Sequence, residues 1–225
     1  QQGIGYFDED GNCTFDSPEN LRTLEVLGEL WEKDLVSNEQ VWSDAWYEVL
    51  ASKDEPVAGV IEASWLGVFL KTWSAEGTEG LWGVARMPAM EEGQVRAANH
   101  GGSGLAIPEE APNPRAAWAF VEFMMLRTDP MVKIFEYSDF LPSLKSTYED
   151  PIFSTAEDFF DGQVARQVYL DIGNEIPNAA IYHPDHQQML EISMVAIQKY
   201  ATGTLTAEEA LSEAAETMRQ ETSLK

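Results

Sequence analysis

A chain of 225 residues with 14 Lys+Arg against 39 Asp+Glu carries a formal net charge of −25, which argues against DNA, RNA and anionic membranes as partners. Apolar residues make up 44% and aromatics 11%, with seven Trp, so the composition is that of one large or two small folded domains rather than a disordered chain. Cys13 stands alone, which excludes an internal disulfide, and no run of 18 apolar residues is present to span a membrane as a helix.

The sequence begins abruptly at QQGIGYFDEDGN, without a leader-like segment, and is expected to be part of a longer protein. Asp10-Gly11 predicts a tight hairpin turn in GYFDEDGNCTF; a calcium loop would need later ligands and a closing Glu that are missing. In DSPENLRTLEVLGELWEKDLV, Ser17 is placed to cap a helix and Pro18 fits its first position. Leu21, Leu24, Leu27 and Trp31 then recur on one face. DAWYEVLAS predicts a second, shorter helix; Trp42 and Trp46 would share one of its faces, a face that could edge a binding cleft but more often packs into a core. PVAGVIEAS, LWGVARMP and GLAIP read as strands, with SWLGVFLKTW a helix or loop between the first two. NPRAAWAFVEFMML predicts a helix capped by Asn113 with Pro114 first. After the irregular DFLPSL and some acidic helical stretches comes a polar loop, NEIPNAAIYHPDHQQ. A long helix then runs to Gly203, and a last one opens on a capping box formed by Thr206 and Glu209. Strands alternating with helices argue for an α/β fold.

The stretch AANHGGSGLAIPEEAPNPRAAWAFVEFMM poses the functional question. Gly101, Gly102 and Gly104 precede a predicted strand rather than a helix, and no Lys-Ser/Thr follows, so neither a phosphate loop nor a dinucleotide site fits. Ser103 has Gly101 before it but Leu105 after it, so the nucleophile elbow fails too. What remains is a backbone that turns, or one that something approaches closely.

Four stretches, taken in order, resemble the bacterial family 1 extracellular solute-binding proteins, the sugar-capturing subunits of ABC importers that include maltodextrin-binding protein. They are DSPENLRTLEVLGELWEKDLV, LASKDEPVAGVIEASWLGVF, WGVARMPAMEEGQVRAANHGGSGLAIPEEAPNPRAAWAFVEFMM and YATGTLTAEEALSEAAETM. The family's small-Gly-Lys turn is replaced here by ASKDEP. The resemblance covers nearly the whole chain, but only the C-terminal portion of a full-length member. It implies a periplasmic-binding-protein-like (type II) α/β fold. Residues 1–97 and 147–225 would belong to the second lobe, and residues 98–146 to a crossover and first-lobe segment. It also implies a non-catalytic protein, periplasmic or lipid-anchored at the cell surface, that needs no cofactor or metal and delivers sugar to membrane permease subunits.

The resemblance places Trp65 at the family's cleft tryptophan, and sets His100, Gly101 and Gly102 at a crossover facing the cleft. Tyr182 would be a second stacker, with His183 or His186 donating hydrogen bonds. Sugars present apolar C–H faces and a rim of hydroxyls, so flat aromatics and convergent polar groups suit them. For each residue a plainer reading stays open: core packing for Trp65, a satisfied histidine for His100, an exposed loop for Tyr182 and its neighbours. His183 and His186 around Asp185 also resemble a metal pair, without a third Cys or His nearby. Two other functions are kept as alternatives: a carbohydrate-active enzyme using paired carboxylates, and an acidic interaction domain for a basic partner. If half of the first lobe is missing, Trp118, Phe120 and Phe123 should be exposed, and the chain should tend to self-associate.

Overall fold

The computed structural model describes residues 1–37, 39–177 and 182–225. The chain divides into two compact units, one of residues 1–38, 90–95 and 177–225 and the other of residues 39–89 and 96–176.

The first unit is built on three helices: α1 (Pro18–Glu32), α7 (His186–Ala201) and α8 (Ala207–Glu221). The local signals work as chemistry dictates. The Ser17 hydroxyl accepts from Asn20 N–H and Pro18 opens α1. Both halves of the Thr206–Glu209 box form, and left-handed Gly203 follows the end of α7. Alanines at 196, 210 and 214 line the α7–α8 contact and let the two backbones approach. Phe15 and Leu24 close the space beneath α1. Gly28 is buried on α1 because the Tyr200 ring fills the place a Cβ would take, with Cζ only 2.6 Å from it.

The N-terminal turn is wider than Asp10-Gly11 alone would make it. Phe7 and Cys13 bridge in antiparallel fashion, so five residues form the loop. Only Gly11 among these has positive φ, and the Asp8 carboxylate accepts from Asp10 N–H, Asn12 N–H and Asn12 Nδ2. The Asn12 side chain first, and then these backbone donors, hold the Asp8 carboxyl below the usual carboxylate range.

The second unit carries α2 (Asp44–Ala51), α3 (Leu66–Phe69) with a π turn after it (Leu70–Ser74), α4 (Pro114–Met125), α5 (Thr128–Ser138) and α6 (Ala165–Gly173). Its core gathers Trp46, Leu50, Leu66, Leu70, Phe159 and Phe160. Phe135 and Phe153 stack beside one another at 4.4 Å. Four charges lie in this unit's interior. Lys71 Nζ sits 2.6 Å from Asp139 and 2.9 Å from Glu157, and Arg166 Nη2 lies 3.7 Å and 3.4 Å from the same two carboxylates. Burial, then the charges of Asp139 and Glu157, push the nearby Tyr169 phenol well above its ordinary value.

Two expectations need correction. The segments PVAGVIEAS, LWGVARMP and GLAIP form no strands, and the bridges among the described residues are the isolated Phe7–Cys13 and Glu157–Gln163 pairs. A strand exists only when a neighbour completes its ladder. Here side chains stand in for that neighbour. The Gln163 amide donates to Val84 O and accepts from Val84 N–H, both at 2.7 Å, while Arg96 donates to the carbonyls of Arg86 and Met87. The second correction is Asn113, which precedes α4 without making a side-chain capping bond. The exposure expected on α4 is present: none of its residues is buried, and Trp118, Phe120 and Phe123 are open to solvent.

Candidate functional site

The residues singled out by sequence fall into two groups, one in each unit. In the second unit Trp65 immediately precedes α3. Its Nε1–H donates to His100 O at 3.4 Å, and its ring lies 6.0 Å from the His100 imidazole. Gly101 and Gly102 both have left-handed φ, +93° and +121°, and a Cβ on Gly101 would sit at ordinary contact distance from Trp65 Nε1. The turn therefore demands glycine for its backbone angles rather than for space. It brings the His100 carbonyl onto the indole edge. So Trp65, His100 and Gly101 lie together, with Gly102 next along the turn.

Two residues complete this cluster, Glu62, which sequence reasoning missed, and Trp42, which it read as more often core. Glu62 is nearly buried and accepts from His100 Nδ1 at 2.8 Å and from Ala63 N–H at 3.0 Å. Nδ1–H donates to that carboxylate, which leaves Nε2 of the exposed ring for a hydroxyl. Trp42 is the second. It is not on the α2 face as the four-residue spacing to Trp46 suggested, because Ser43 caps α2 and Trp42 lies outside the helix with φ +71°. Its ring stacks on Trp65 with centroids 5.5 Å apart and 22° between planes, and it meets Trp46 and Phe69. Phe69 and Trp73 extend the array along α3 and the π turn, and Trp73 is widely exposed. Trp46 alone of the pair is core, as read. The signal for Trp42 was available in Ser43-Asp44, which is an N-terminal cap signature. No sequence pattern marks Glu62.

The first unit holds Tyr182, His183 and His186. Residues 178–181 of the same loop lie outside the described residues. Tyr182 is open to solvent, with its ring 6.0 Å from His186. His183 packs edge-on against Phe7. Its Nδ1 accepts from Asp185 N–H at 3.2 Å and its Nε2 faces Ser223 Oγ at 3.4 Å. Ser223 in turn donates through N–H and Oγ–H to the Asp185 carboxylate, which holds that carboxyl below its usual range. The Ser223, His183 and Asp185 side chains look like a nucleophilic triad, but their bonds run the wrong way. An Nδ1 that accepts leaves Nε2 protonated, so His183 has no lone pair to take the Ser223 proton. The cluster ties the C-terminus to the turn before α7, and both His183 nitrogens are used within the chain. His186 Nδ1 is buried and has no hydrogen-bond partner among the described residues. Among those residues no group of three or more His, Cys, Asp or Glu side chains is placed to hold a metal ion, and no helix is long and apolar enough to cross a membrane.

Comparison with known proteins agrees with the resemblance seen in the sequence. An arabinooligosaccharide-binding protein of Halalkalibacterium halodurans is 27% identical over 227 residues, covering 97% of this chain and 50% of the relative. Its counterpart from Bacillus subtilis is 24% identical, covering 98% of this chain and 52% of the relative. The chain thus spans about half the length of the curated relatives it matches. Among solved structures, the ABC transporter associated binding protein of B. animalis subsp. lactis, in complex with β-1,6-galactobiose, superposes with a TM-score of 0.79 at 19% identity, over 100% of this chain and 58% of that one. The sugar-binding protein MalE of Xanthomonas citri gives 0.73 at 18%, over 98% and 52%. These likenesses show the fold, a periplasmic-binding-protein-like (type II) α/β fold, even though the strand-like segments pair into no ladder among the described residues. The profile of the bacterial extracellular solute-binding proteins matches residues 1–126, more than half of the chain, and the chain belongs to that family.

Proposed function

We propose that this chain is part of a non-catalytic oligosaccharide-binding protein that serves an ABC importer outside the cytoplasmic membrane. The observation that carries the reading is the Trp65 cluster: exposed indoles beside a histidine whose Nε2 is left for a hydroxyl and whose orientation Glu62 fixes. Flat rings suit the C–H faces of a saccharide, and the imidazole suits a hydroxyl at their edge. The relatives' arabinooligosaccharides and the neighbour's β-1,6-galactobiose make pentose and hexose oligomers the first ligands to try.

In the whole protein, sugar held between two lobes stabilises their closed arrangement, and that form docks on the permease subunits. The reading keeps residues 1–97 and 147–225 as second lobe, residues 98–146 as crossover and first-lobe segment, and a lipid anchor as the means of surface attachment. Tyr182 and His186 belong to it as contributors from the polar loop. With α4 open to solvent, self-association of this chain belongs to it as well.

The test is a titration of intrinsic tryptophan fluorescence with arabinotriose and with β-1,6-galactobiose. A saturable change is expected for the unaltered chain, and Trp65→Ala should weaken it by at least about tenfold, the loss of one ring from the aromatic cluster. Sugar recovered intact afterwards agrees with a binding role. Wild-type affinity in Trp65→Ala would remove the cluster from the site, and hydrolysis of either sugar would replace binding with catalysis.

A further inference from the structure

Trp65 is not the most accessible ring of the tryptophan cluster; Trp73 is 69% exposed but its ring contact is with Phe69 at the far end of the array. Trp65 is only partly exposed, because Trp42 lies against its ring, Phe69 meets it edge-on at 88°, and the His100 backbone holds its Nε1. Trp42 is 49% exposed although it touches three aromatic neighbours. It also holds a left-handed backbone angle, φ +71°, which is rare for a bulky residue and persists only where the surroundings impose it. Here the surroundings impose it: Ser43 begins the α2 cap directly after it, and Trp46, Trp65 and Phe69 all meet its ring. The strained residue thus carries an indole that is fixed on one side and bare on the other.

We propose that Trp42 is the sugar-stacking residue of this unit, and that Trp65 is the buttress that fixes its plane. The inference rests on the carbohydrate-binding reading and assigns its principal contact to a different residue. A saccharide ring lies on the exposed side of Trp42, which puts its C–H face on a platform two indoles thick. Removing Trp65 then weakens binding indirectly, by letting Trp42 move, whereas removing Trp42 takes away the contact itself.

The experiment is 19F NMR of the full chain labelled with 5-fluorotryptophan, with the Trp42 and Trp65 resonances assigned by Trp42→Phe and Trp65→Phe. Arabinotriose and β-1,6-galactobiose are the probes. On addition of the bound sugar the Trp42 resonance is expected to shift most, Trp42→Ala should lose about tenfold in affinity, and Trp42→Phe, which keeps a flat ring, should stay within about threefold of wild type. Thermal melts of each variant check that it folds. If Trp42→Ala does not fold, the shifts in the unaltered chain and the affinity of Trp42→Phe still decide. A shift of the Trp65 resonance with Trp42 unmoved, or unchanged affinity in a folded Trp42→Ala, overturns the assignment and leaves a carbohydrate site centred on Trp65. If no indole resonance moves with either sugar, the carbohydrate reading of this cluster fails and the assignment fails with it.

Discussion

Asp139→Leu is expected to destabilise the second unit by about 3–5 kcal/mol, read as a fall in the urea midpoint. Asp139 and Glu157 share Lys71 and Arg166 between them, and the four side chains are between 8% and 23% exposed. Two cations facing two carboxylates are close to balanced. Removing one carboxylate leaves a surplus positive charge in a region that cannot hydrate it, and that residual charge, more than the lost bond, sets the cost. Leucine also lacks a comfortable left-handed conformation, and Asp139 ends α5 at φ +51°. Asp139→Asn removes the same charge while keeping the backbone angle and an oxygen for Lys71, so it should retain most of the loss. A loss in Asp139→Asn much smaller than in Asp139→Leu would show that the charge is not what matters there.

Strong binding of a dye such as ANS to the folded chain is the second large effect expected, with α4 as its source. Trp118, Phe120 and Phe123 are 52%, 59% and 47% exposed, Leu126 follows at 56%, and nothing in α4 is buried. Monomeric soluble proteins rarely leave such a patch bare. A triple variant with Trp118→Gln, Phe120→Gln and Phe123→Gln should lose most of the dye signal. Stability should change by no more than about 0.5 kcal/mol per site, because exposed side chains lose little on substitution. A dye signal that survives the triple variant would place the bare surface elsewhere, with Leu105, Tyr137 and Phe140 the next residues to alter.

Features written by short-range chemistry were legible in the sequence. Ser17 with Pro18, and Thr206 with Glu209, act within three residues of themselves, so the ends of α1 and α8 could be read directly. The segments at 56–64, 81–88 and 104–108 have strand-like composition, but pairing is a property of two segments and no residue in either one encodes the other's presence. The site divides along the same line. Trp65, His100 and the two glycines were singled out as candidates through ordered motifs. Glu62 was not, because what singles it out is a hydrogen bond to a residue 38 positions away. Trp42 was misplaced for a different reason. Helical spacing was applied across the N-cap at which the helix begins, so a ring that precedes α2 was assigned to its face.

The lone thiol gives the first unit a built-in clock. Cys13 is buried among Met189, Ala215 and Met218, its Sγ–H points at the Ala215 carbonyl, and burial pushes its pKa up. A disulfide reagent therefore finds neither access nor thiolate while the unit is closed, and at fixed pH its reaction is expected to run at the opening frequency of the α7–α8 layer. The chain has one cysteine, so every mole of released chromophore reports that one event. Ligand that tightens this unit would appear as a slower release, and ligand confined to the other unit would leave the rate alone.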